Sequence, residues 1–222
     1  MLYGQTPRWL EQLERRFGGL AIPNLALGLV GLQVLGFLLV YFDPTWWRFL
    51  ILDPGLVLQG EVWRVVSFLA LPLSTSPLWA VFVLYFLYFL VNGLESEWGA
   101  FATTLYLLVC VVLTVAFSLL FRCQITSAAK LESTLFLAAA TIAPNYEILL
   151  FLILPVKLKW LAWATVALII LQLIFGSWME RFYLAVMYAN YLLFFGPYYS
   201  GRLQQWHRRR RFHQAARADP DD

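Results

Sequence analysis

The stretch WGAFATTLYLLVCVVLTVAFSLLF, Trp98–Phe121, carries no Asp, Glu, Lys or Arg. A helix needs about 20 mainly apolar residues to cross a hydrocarbon core about 30 Å thick, and this stretch is long enough. Its apolar residues run continuously instead of alternating with a period of two, which favours a helix over a strand of a membrane barrel. The stretch therefore predicts a membrane-spanning helix.

The rest of the chain has the composition of an integral membrane protein. Of its 222 residues, 61% are hydrophobic and 13% are charged, against about 45–50% apolar and about 25% charged residues in soluble domains. Four other long windows also lack charged residues: Phe17–Phe42, Val65–Leu94, Trp160–Met179 and Phe182–Gly201. A sixth candidate span, Ser133–Tyr146, is shorter. The pattern predicts an all-α polytopic membrane protein with six transmembrane helices.

The distribution of Lys and Arg predicts the orientation of these helices. If both termini are cytoplasmic, eleven basic residues lie inside and five outside, which agrees with the positive-inside rule. The inner residues are Arg8, Arg15, Arg16, Lys157, Lys159, Arg202, Arg208, Arg209, Arg210, Arg211 and Arg217, and the outer ones are Arg48, Arg64, Arg122, Lys130 and Arg181. We expect both termini to be cytoplasmic.

Three further segments complete the organisation. Residues 1–17 have apolar side chains at helical spacing among charges, which predicts an amphipathic segment at the cytoplasmic interface, with a solvated tail as the alternative. Residues 202–222 are predicted to form a mostly basic cytoplasmic tail. The membrane domain spans residues 18–201 and includes a half-buried outer loop at 43–77, whose Trp46, Trp47 and Trp63 suit the headgroup level. We expect a tight cytoplasmic turn at Val91–Gly99 and an outer turn at Gly176–Arg181.

The sequence gives no indication of a metal site, a cofactor or a cleaved leader. Cys110 lies inside the third predicted span and Cys123 just beyond it, without the spacing of a metal motif or a disulfide framework. A charged segment precedes the first apolar run and no small-residue cleavage site follows it, so we expect the first helix to remain as an anchor.

Three motifs in order resemble the rhomboid superfamily of intramembrane proteins. They are GEVWRVVSFLALPLS at Gly60–Ser74, LYFLVNGLESEWGAFATTLYLL at Leu87–Leu108, and APNYEILLFLILPVKLKWLAW at Ala143–Trp163. The first is similar to the Glu-x-Trp-Arg segment of the outer loop, and the second to the Gly-x-x-Leu-Glu-x-x-Trp-Gly turn that contains Glu95, Trp98 and Gly99. The third is similar to the hairpin before the fifth helix. The resemblance implies a six-helix rhomboid-like fold.

The resemblance places Ser133 at the position of the nucleophile. Active rhomboids carry this serine in Gly-x-Ser-Gly at the start of the fourth helix, with a histidine base on the sixth. Here the motif falls on Leu131–Thr134, so that the serine is present and both glycines are absent. The position of the base falls between about Val186 and Tyr188, and neither residue is a base at neutral pH.

The other catalytic groups are also missing. The two histidines, His207 and His213, lie in the cytoplasmic tail, about 30 Å of hydrocarbon away from the outer end of the fourth helix. The second-helix positions that supply polar oxyanion donors in active members fall on or near Trp79 and Val83. Removing one such donor typically costs about 2.7–4 kcal/mol, and losing the base costs far more.

Two residues beside Ser133 could replace the missing base. Glu132 is its neighbour in sequence, and successive helical residues do not face each other. A Ser–Lys dyad through Lys130 is conceivable, although no oxyanion hole supports it. The other interpretation of Ser133 is a helix N-cap, whose hydroxyl satisfies one backbone amide.

The resemblance therefore implies an inactive, derlin-like pseudoprotease and not an enzyme. Such a protein would recognise transmembrane segments of client proteins beside its second and fifth helices, for quality control, trafficking or handover, without cleaving them. We expect it in a bacterial inner membrane, or in an endomembrane if the source is eukaryotic. A divergent serine protease using Ser133 is the alternative. A small transporter is disfavoured because no interior span carries a charged residue.

The remaining candidate residues have structural alternatives. Trp63 and Arg64 would brace the outer loop, with Arg64 hydrogen-bonded to loop carbonyls, or gate client entry together with Trp79, Val83 and Ser133. Glu95 is expected to cap Trp98 and Gly99, and the lone amides Asn92 and Asn190 are expected to join helices. The run Arg208, Arg209, Arg210 and Arg211 is expected to orient the chain and to attract anionic lipid. We expect no nucleic-acid partner.

Overall fold

Residues 8–150 and 154–196 are described by a computed structural model, and they are mostly helical. The helices are α1 (Arg8–Phe17), α2 (Leu25–Phe42), α3 (Trp47–Leu50), α4 (Pro54–Leu58), α5 (Arg64–Ser67), α6 (Pro77–Trp98), α7 (Ala100–Phe121), α8 (Ala129–Ile142), α9 (Leu158–Phe175) and α10 (residues 178–196). Three short 3-10 turns lie at Gly18–Leu20, Pro44–Trp46 and Phe68–Ala70. One antiparallel hairpin pairs β1 (Glu147–Leu150) with β2 (Leu154–Lys157).

Four of these helices, α2, α6, α7 and α9, are long and apolar enough to cross a membrane. They coincide with the first, second, third and fifth predicted spans, so the prediction of a helical membrane protein is confirmed. Helices α8 and α10 lie where the fourth and sixth spans were predicted. Helix α8 has only 14 residues, and α10 carries Glu180 and Arg181 in its first turn.

The predicted turn at Val91–Gly99 is wrong in extent. Helix α6 continues through Glu95 to Trp98, and Gly99 alone separates it from α7. Gly99 has a φ of 94°, a conformation that glycine adopts without the steric penalty of a side chain. Only one residue is therefore needed to change the chain direction, and Gly93 is helical.

The predicted outer turn at Gly176–Arg181 is also shorter in the structure. Only Gly176 and Ser177 separate α9 from α10. The Glu180 carboxylate accepts a hydrogen bond of 2.9 Å from the Ser177 amide, while the Glu180 amide donates to the Ser177 hydroxyl at 3.3 Å. This reciprocal capping box starts the helix early, and the hydrogen bonds from Ser177 lower the pKa of Glu180.

Helix α2 packs tightly against α6 and against the short turn at Phe68–Ala70. At Gly36 a β-carbon would overlap the carbonyl oxygen of Ala70, so the close approach requires a glycine. Helix α8 packs against α6, α7 and α9 and is the most buried of the long helices.

The segment at 43–76, most of the predicted outer loop at 43–77, is a compact structure of short helices and is called the outer loop below. Asp53 caps α4 by accepting hydrogen bonds from the amides of Gly55 and Leu56. Its other carboxylate oxygen accepts a 2.6 Å hydrogen bond from Gln124, and Leu52 pairs with Ile125 in an isolated antiparallel bridge. The loop is therefore fastened to the segment between α7 and α8.

Helix α1 docks on the helix bundle. Leu10 is buried, and Trp9 meets Phe194 of α10 edge to face, with ring centroids 5.2 Å apart. The described part of the predicted amphipathic segment is helical over Arg8–Phe17, and its apolar side contacts protein at these two residues.

Candidate functional site

The structure identifies Tyr188 of α10 as the residue opposite Ser133. The two hydroxyl oxygens are 2.9 Å apart, and the Ser133 hydroxyl also donates to the carbonyl of Lys130 at 2.7 Å. The sequence placed the position of the missing base between about Val186 and Tyr188, and Tyr188 is the last residue of that range. An ordinary phenol loses its proton only near pH 10, so this pair joins α8 to α10 without supplying a general base.

The prediction that Ser133 is an N-cap is wrong. Helix α8 begins at Ala129, four residues before Ser133, and Ser133 therefore lies inside the helix. Its hydroxyl bonds to a carbonyl of the preceding turn, as buried serines in helices commonly do. Ser127 is the residue that accepts from the Ala129 amide, at 3.1 Å.

The side chains of Lys130 and Glu132 have other partners than the Ser133 hydroxyl. The Lys130 ammonium lies over the ring of Tyr183, 5.1 Å from its centroid. Glu132, on the other side of α8, accepts a hydrogen bond from the side-chain amide of Gln33 in α2. These contacts agree with the expectation that Glu132 and Ser133 face different neighbours.

Glu132 also corrects one sequence-based argument. It lies inside α8 and is only 9% exposed, so the helix that holds Ser133 contains an acidic side chain that the predicted fourth span left out. The fourth span was predicted to begin at Ser133, which left the carboxyl group of Glu132 outside the helix. An acidic group buried between membrane helices is normally paired, and here its partner is neutral Gln33.

A polar cluster next to Ser133 joins α7, α8 and α10. The Tyr106 hydroxyl donates to the carbonyl of Thr134 at 3.1 Å, and the thiol of Cys110 lies 3.6 Å from the Thr134 hydroxyl. Asn190 donates from its amide nitrogen to the sulfur of Cys110 at 2.9 Å. The prediction that Asn190 joins helices is confirmed, since such interhelical hydrogen bonds stabilise membrane bundles.

Asn92 behaves differently from Asn190. It is exposed and lines a cavity of about 220 Å³ that also contacts Phe89, Ala139, Tyr146 and Leu158. Within the described ranges it has no hydrogen bond to another helix, so the prediction that Asn92 joins helices is wrong. The cavity lies between the second half of α6, the end of α8 and the start of α9.

An aromatic stripe runs along α6 towards this cavity. Trp79, Phe82, Phe86 and Phe89 follow one another at spacings of three and four residues, which places them on one face of the helix. Adjacent rings are in contact: Trp79 with Phe82 at 6.2 Å and Phe82 with Phe86 at 6.3 Å between centroids. The stripe reaches α8 through Phe86 and Phe136, 5.8 Å apart.

Helix α9 contributes Leu158 to the other side of this cavity, and the space over α8 between α6 and α9 is called the groove below. Leu158 at its start is its one buried residue among those described. The helix packs against α8 and β2, with no comparable interface to α6. A second cavity, of about 470 Å³, lies between α8, α9 and α10, with Ala140, Trp163 and Tyr191 among its lining residues.

The two predicted oxyanion positions separate in the structure. Trp79 belongs to the aromatic stripe, whereas Val83 lines a small pocket with Gln33 and Phe37, on the side of α6 that faces α2. Both positions were predicted from the rhomboid resemblance, and in the structure they have different neighbours.

Arg64 braces the outer loop as predicted. It is 3% exposed, and its guanidinium donates to the carbonyls of Arg48 and Ile51 at 2.7 and 2.9 Å. It also forms an ion pair with Glu61 at 2.6 Å. Trp63, the preceding residue, is exposed. The arginine is fully used in holding the loop together.

The motif of Glu95, Trp98 and Gly99 holds the opposite end of the bundle. Glu95 was expected to cap Trp98 and Gly99, but its carboxylate accepts a 2.8 Å hydrogen bond from the amide of Asn24, before α2. Trp98 packs on Phe195 with ring centroids 5.0 Å apart. The expectation was wrong because α6 does not end before Trp98.

The described residues contain no group of three His, Cys, Asp or Glu side chains that could hold a metal ion. The run Arg208, Arg209, Arg210 and Arg211 and both histidines lie outside the described residues. No protein-family model, curated protein or solved structure matches the chain. The features of the structure that bear on function are therefore the geometry around Ser133 and the groove between α6 and α9.

Proposed function

We propose that this chain is a non-catalytic, rhomboid-like membrane protein that binds transmembrane segments of other membrane proteins without cleaving them. In this proposal α8 and α10 complete a set of six spans, and both termini are cytoplasmic. The client would be held for quality control, trafficking or handover. The membrane is a bacterial inner membrane, or an endomembrane in a eukaryote, and the basic tail contacts anionic lipid.

The contact between Ser133 and Tyr188 carries the proposal. A serine at the nucleophile position needs an adjacent base to become nucleophilic, and the residue within hydrogen-bond distance is a phenol. The nearby Lys130 ammonium is turned to Tyr183 and the Glu132 carboxyl to Gln33. The groups around Ser133 thus support a structural role for its hydroxyl.

The groove between α6 and α9 supports the binding part of the proposal. One wall is the aromatic stripe of α6, whose Phe82, Phe86 and Phe89 are only half-buried. The other wall is α9, most of whose described side chains are not buried within the protein. Between membrane helices, association depends on packing, and the small side chains of Ala139 and Ala140 in α8 line the two cavities.

A serine-reactive probe tests the absence of catalysis. The full-length protein in detergent is treated with a fluorophosphonate, beside an active serine hydrolase as positive control and a Ser133→Ala variant. We expect no labelling above that of the variant. Labelling that Ser133→Ala abolishes would favour the alternative, a divergent intramembrane serine protease.

Photocrosslinking in liposomes tests binding. A photoreactive amino acid replaces one of two groove positions, Phe89 or Val166, which line the first and second cavity from α6 and α9 respectively, or replaces Leu108, an exposed residue of α7 that serves as the control. The target is a labelled single-span peptide with about 20 apolar residues. We expect crosslinks from the two groove positions and few from Leu108. Equal yields at all three positions would show random collision in the bilayer and contradict the proposal.

A further inference from the structure

An open pocket in the outer loop is lined mainly by aromatic rings. It has a volume of about 470 Å³, and Trp46, Phe49 and Trp63 contribute rings to its wall beside Asp43 and Ser67. The rings of Trp46 and Phe49 have centroids 5.7 Å apart. All three rings are exposed, so their faces are accessible to a ligand, and the volume is that of a small-molecule site.

The same pocket carries a fixed negative charge. The Asp43 carboxylate accepts a 2.9 Å hydrogen bond from the amide of Thr45. This hydrogen bond lowers the pKa of Asp43, which keeps the group ionised near neutral pH. A carboxylate beside aromatic faces attracts an organic cation, because the face of an aromatic ring is the negative end of its quadrupole.

A positive charge lies close to the pocket. The charge of Arg48 acts on Asp43, yet the ion pairs found in the described part of the chain do not join these two residues. The guanidinium of Arg48 is exposed, and its planar fork suits a phosphate group. The pocket therefore has a carboxylate in its wall and an arginine nearby that is not part of its lining.

The position of the pocket indicates where such a ligand comes from. Asp43 directly follows Phe42, the last residue of the candidate span α2. Lipid headgroups lie at the level where an apolar span ends, and tryptophan is enriched there. A zwitterionic phospholipid presents an ammonium and a phosphate at this depth.

We propose that the pocket of Asp43, Trp46, Phe49 and Trp63 binds the headgroup of a zwitterionic phospholipid. The ammonium lies against the faces of Trp46 and Trp63 next to the carboxylate of Asp43, and the phosphate lies towards Arg48. This site is separate from the client groove and does not depend on it.

Native mass spectrometry of the full-length protein tests the site. The protein in detergent receives equal amounts of phosphatidylglycerol and either phosphatidylethanolamine or phosphatidylcholine. We expect the first bound lipid to be zwitterionic, with a preference of about 3- to 10-fold for at least one of the two, the range of a cation on aromatic rings. The variants Asp43→Asn and Trp46→Leu should bring the ratio close to one.

The variants are chosen to separate binding from folding. Asparagine can accept the hydrogen bond from Thr45, so that Asp43→Asn removes the charge and keeps the turn, and leucine at 46 keeps an apolar side chain without a π face. Trp160→Leu, at an exposed tryptophan of α9, is the control and should keep the preference.

Three outcomes would overturn the proposal. They are a wild-type protein without preference, a preference that survives in Asp43→Asn, and an equal loss in Trp160→Leu. A pocket that accepts a basic side chain of another protein would give the first of these.

Discussion

At the scale of single residues, the most informative contact of this protein joins the hydroxyl groups of Ser133 and Tyr188. Ser133 and Tyr188 contact each other across α8 and α10 at 2.9 Å. A hydrogen bond of this kind stabilises a folded membrane protein, whereas in an active hydrolase the corresponding serine is held ready for attack. The stability of the protein therefore reports on the role of Ser133.

We predict that Ser133 and Tyr188 are coupled in stability. In a double-mutant cycle of Ser133→Ala and Tyr188→Phe, the coupling free energy of unfolding should be about 0.5–1.5 kcal/mol, as measured for hydrogen bonds between membrane helices. Equilibrium unfolding in mixed micelles provides the measurement. Additive effects of the two changes would contradict a direct bond.

The pair of Glu132 and Gln33 leads to a second prediction. Glu132→Gln keeps a partner for the Gln33 amide and should change the free energy of unfolding little. Glu132→Leu leaves the Gln33 amide buried without an acceptor and should cost about 1–3 kcal/mol. The double change Glu132→Leu with Gln33→Leu should recover most of that loss. If Glu132→Gln were as damaging as Glu132→Leu, the charge itself would be needed.

At the scale of elements, the contact of α2 with the turn at Phe68–Ala70 sets the tightest constraint. Gly36 allows the backbone of α2 to touch the carbonyl of Ala70. Gly28 and Gly31 of the same helix have no atom near the position of a β-carbon. The three glycines therefore offer a matched comparison.

We predict that Gly36→Ala destabilises the protein by about 1–3 kcal/mol through overpacking. Gly28→Ala and Gly31→Ala should be neutral or stabilising by up to about 1 kcal/mol, since alanine is the better helix former. The unfolding midpoints of the three variants in one detergent check the order. Equal midpoints would show that α2 can shift away from Ala70.

The positions of the long helices were predictable from the sequence because the absence of charge over about 20 residues is a strong constraint. The ends of the helices were less predictable. A single glycine was enough for the turn at Gly99, and a capping box advanced the start of α10 to residue 178. Polar side chains near a helix end do not by themselves show on which side of that end they lie, as Glu132 and Ser133 illustrate.

Parts of the candidate site depend on the packing of distant helices. Sequence placed the partner of Ser133 between Val186 and Tyr188, and only the rotation of α10 against α8 selects Tyr188. The contact of Glu132 with Gln33 joins residues 99 positions apart, and no local pattern encodes it. By contrast, the role of Arg64 followed from its type and place, since a buried arginine in a loop needs several carbonyl acceptors.

At the scale of the whole molecule, the helices differ in length. Helix α8 has 14 residues, and with a rise of 1.5 Å per residue it is about 21 Å long. A hydrocarbon core of about 30 Å exceeds that length, while α6 and α7 have 22 residues each. If α8 spans the membrane, as proposed above, the bilayer around it must become thinner or its neighbours must shield it.

We predict that the protein is most stable in thin bilayers. The midpoint of thermal unfolding in liposomes should be higher with 14-carbon than with 20-carbon acyl chains, because hydrophobic mismatch costs fractions of a kcal/mol per ångström. A membrane protein with uniformly long helices serves as the control. A midpoint that rises with chain length would contradict this prediction.

The fastening of the outer loop to Gln124 and Ile125 has a consequence for biosynthesis. A ribosome delivers the loop at residues 43–76 well before it delivers the segment between α7 and α8, so the bridge from Leu52 to Ile125 cannot form until α7 has entered the membrane. Until then the backbone groups of Leu52 must hydrogen-bond to water, as must the carboxylate oxygen of Asp53 that later accepts from Gln124. The contacts of Leu52 with Ile125 and of Asp53 with Gln124 can therefore form only after the third long helix, α7, has been synthesised. The loop reaches its final structure late in membrane insertion.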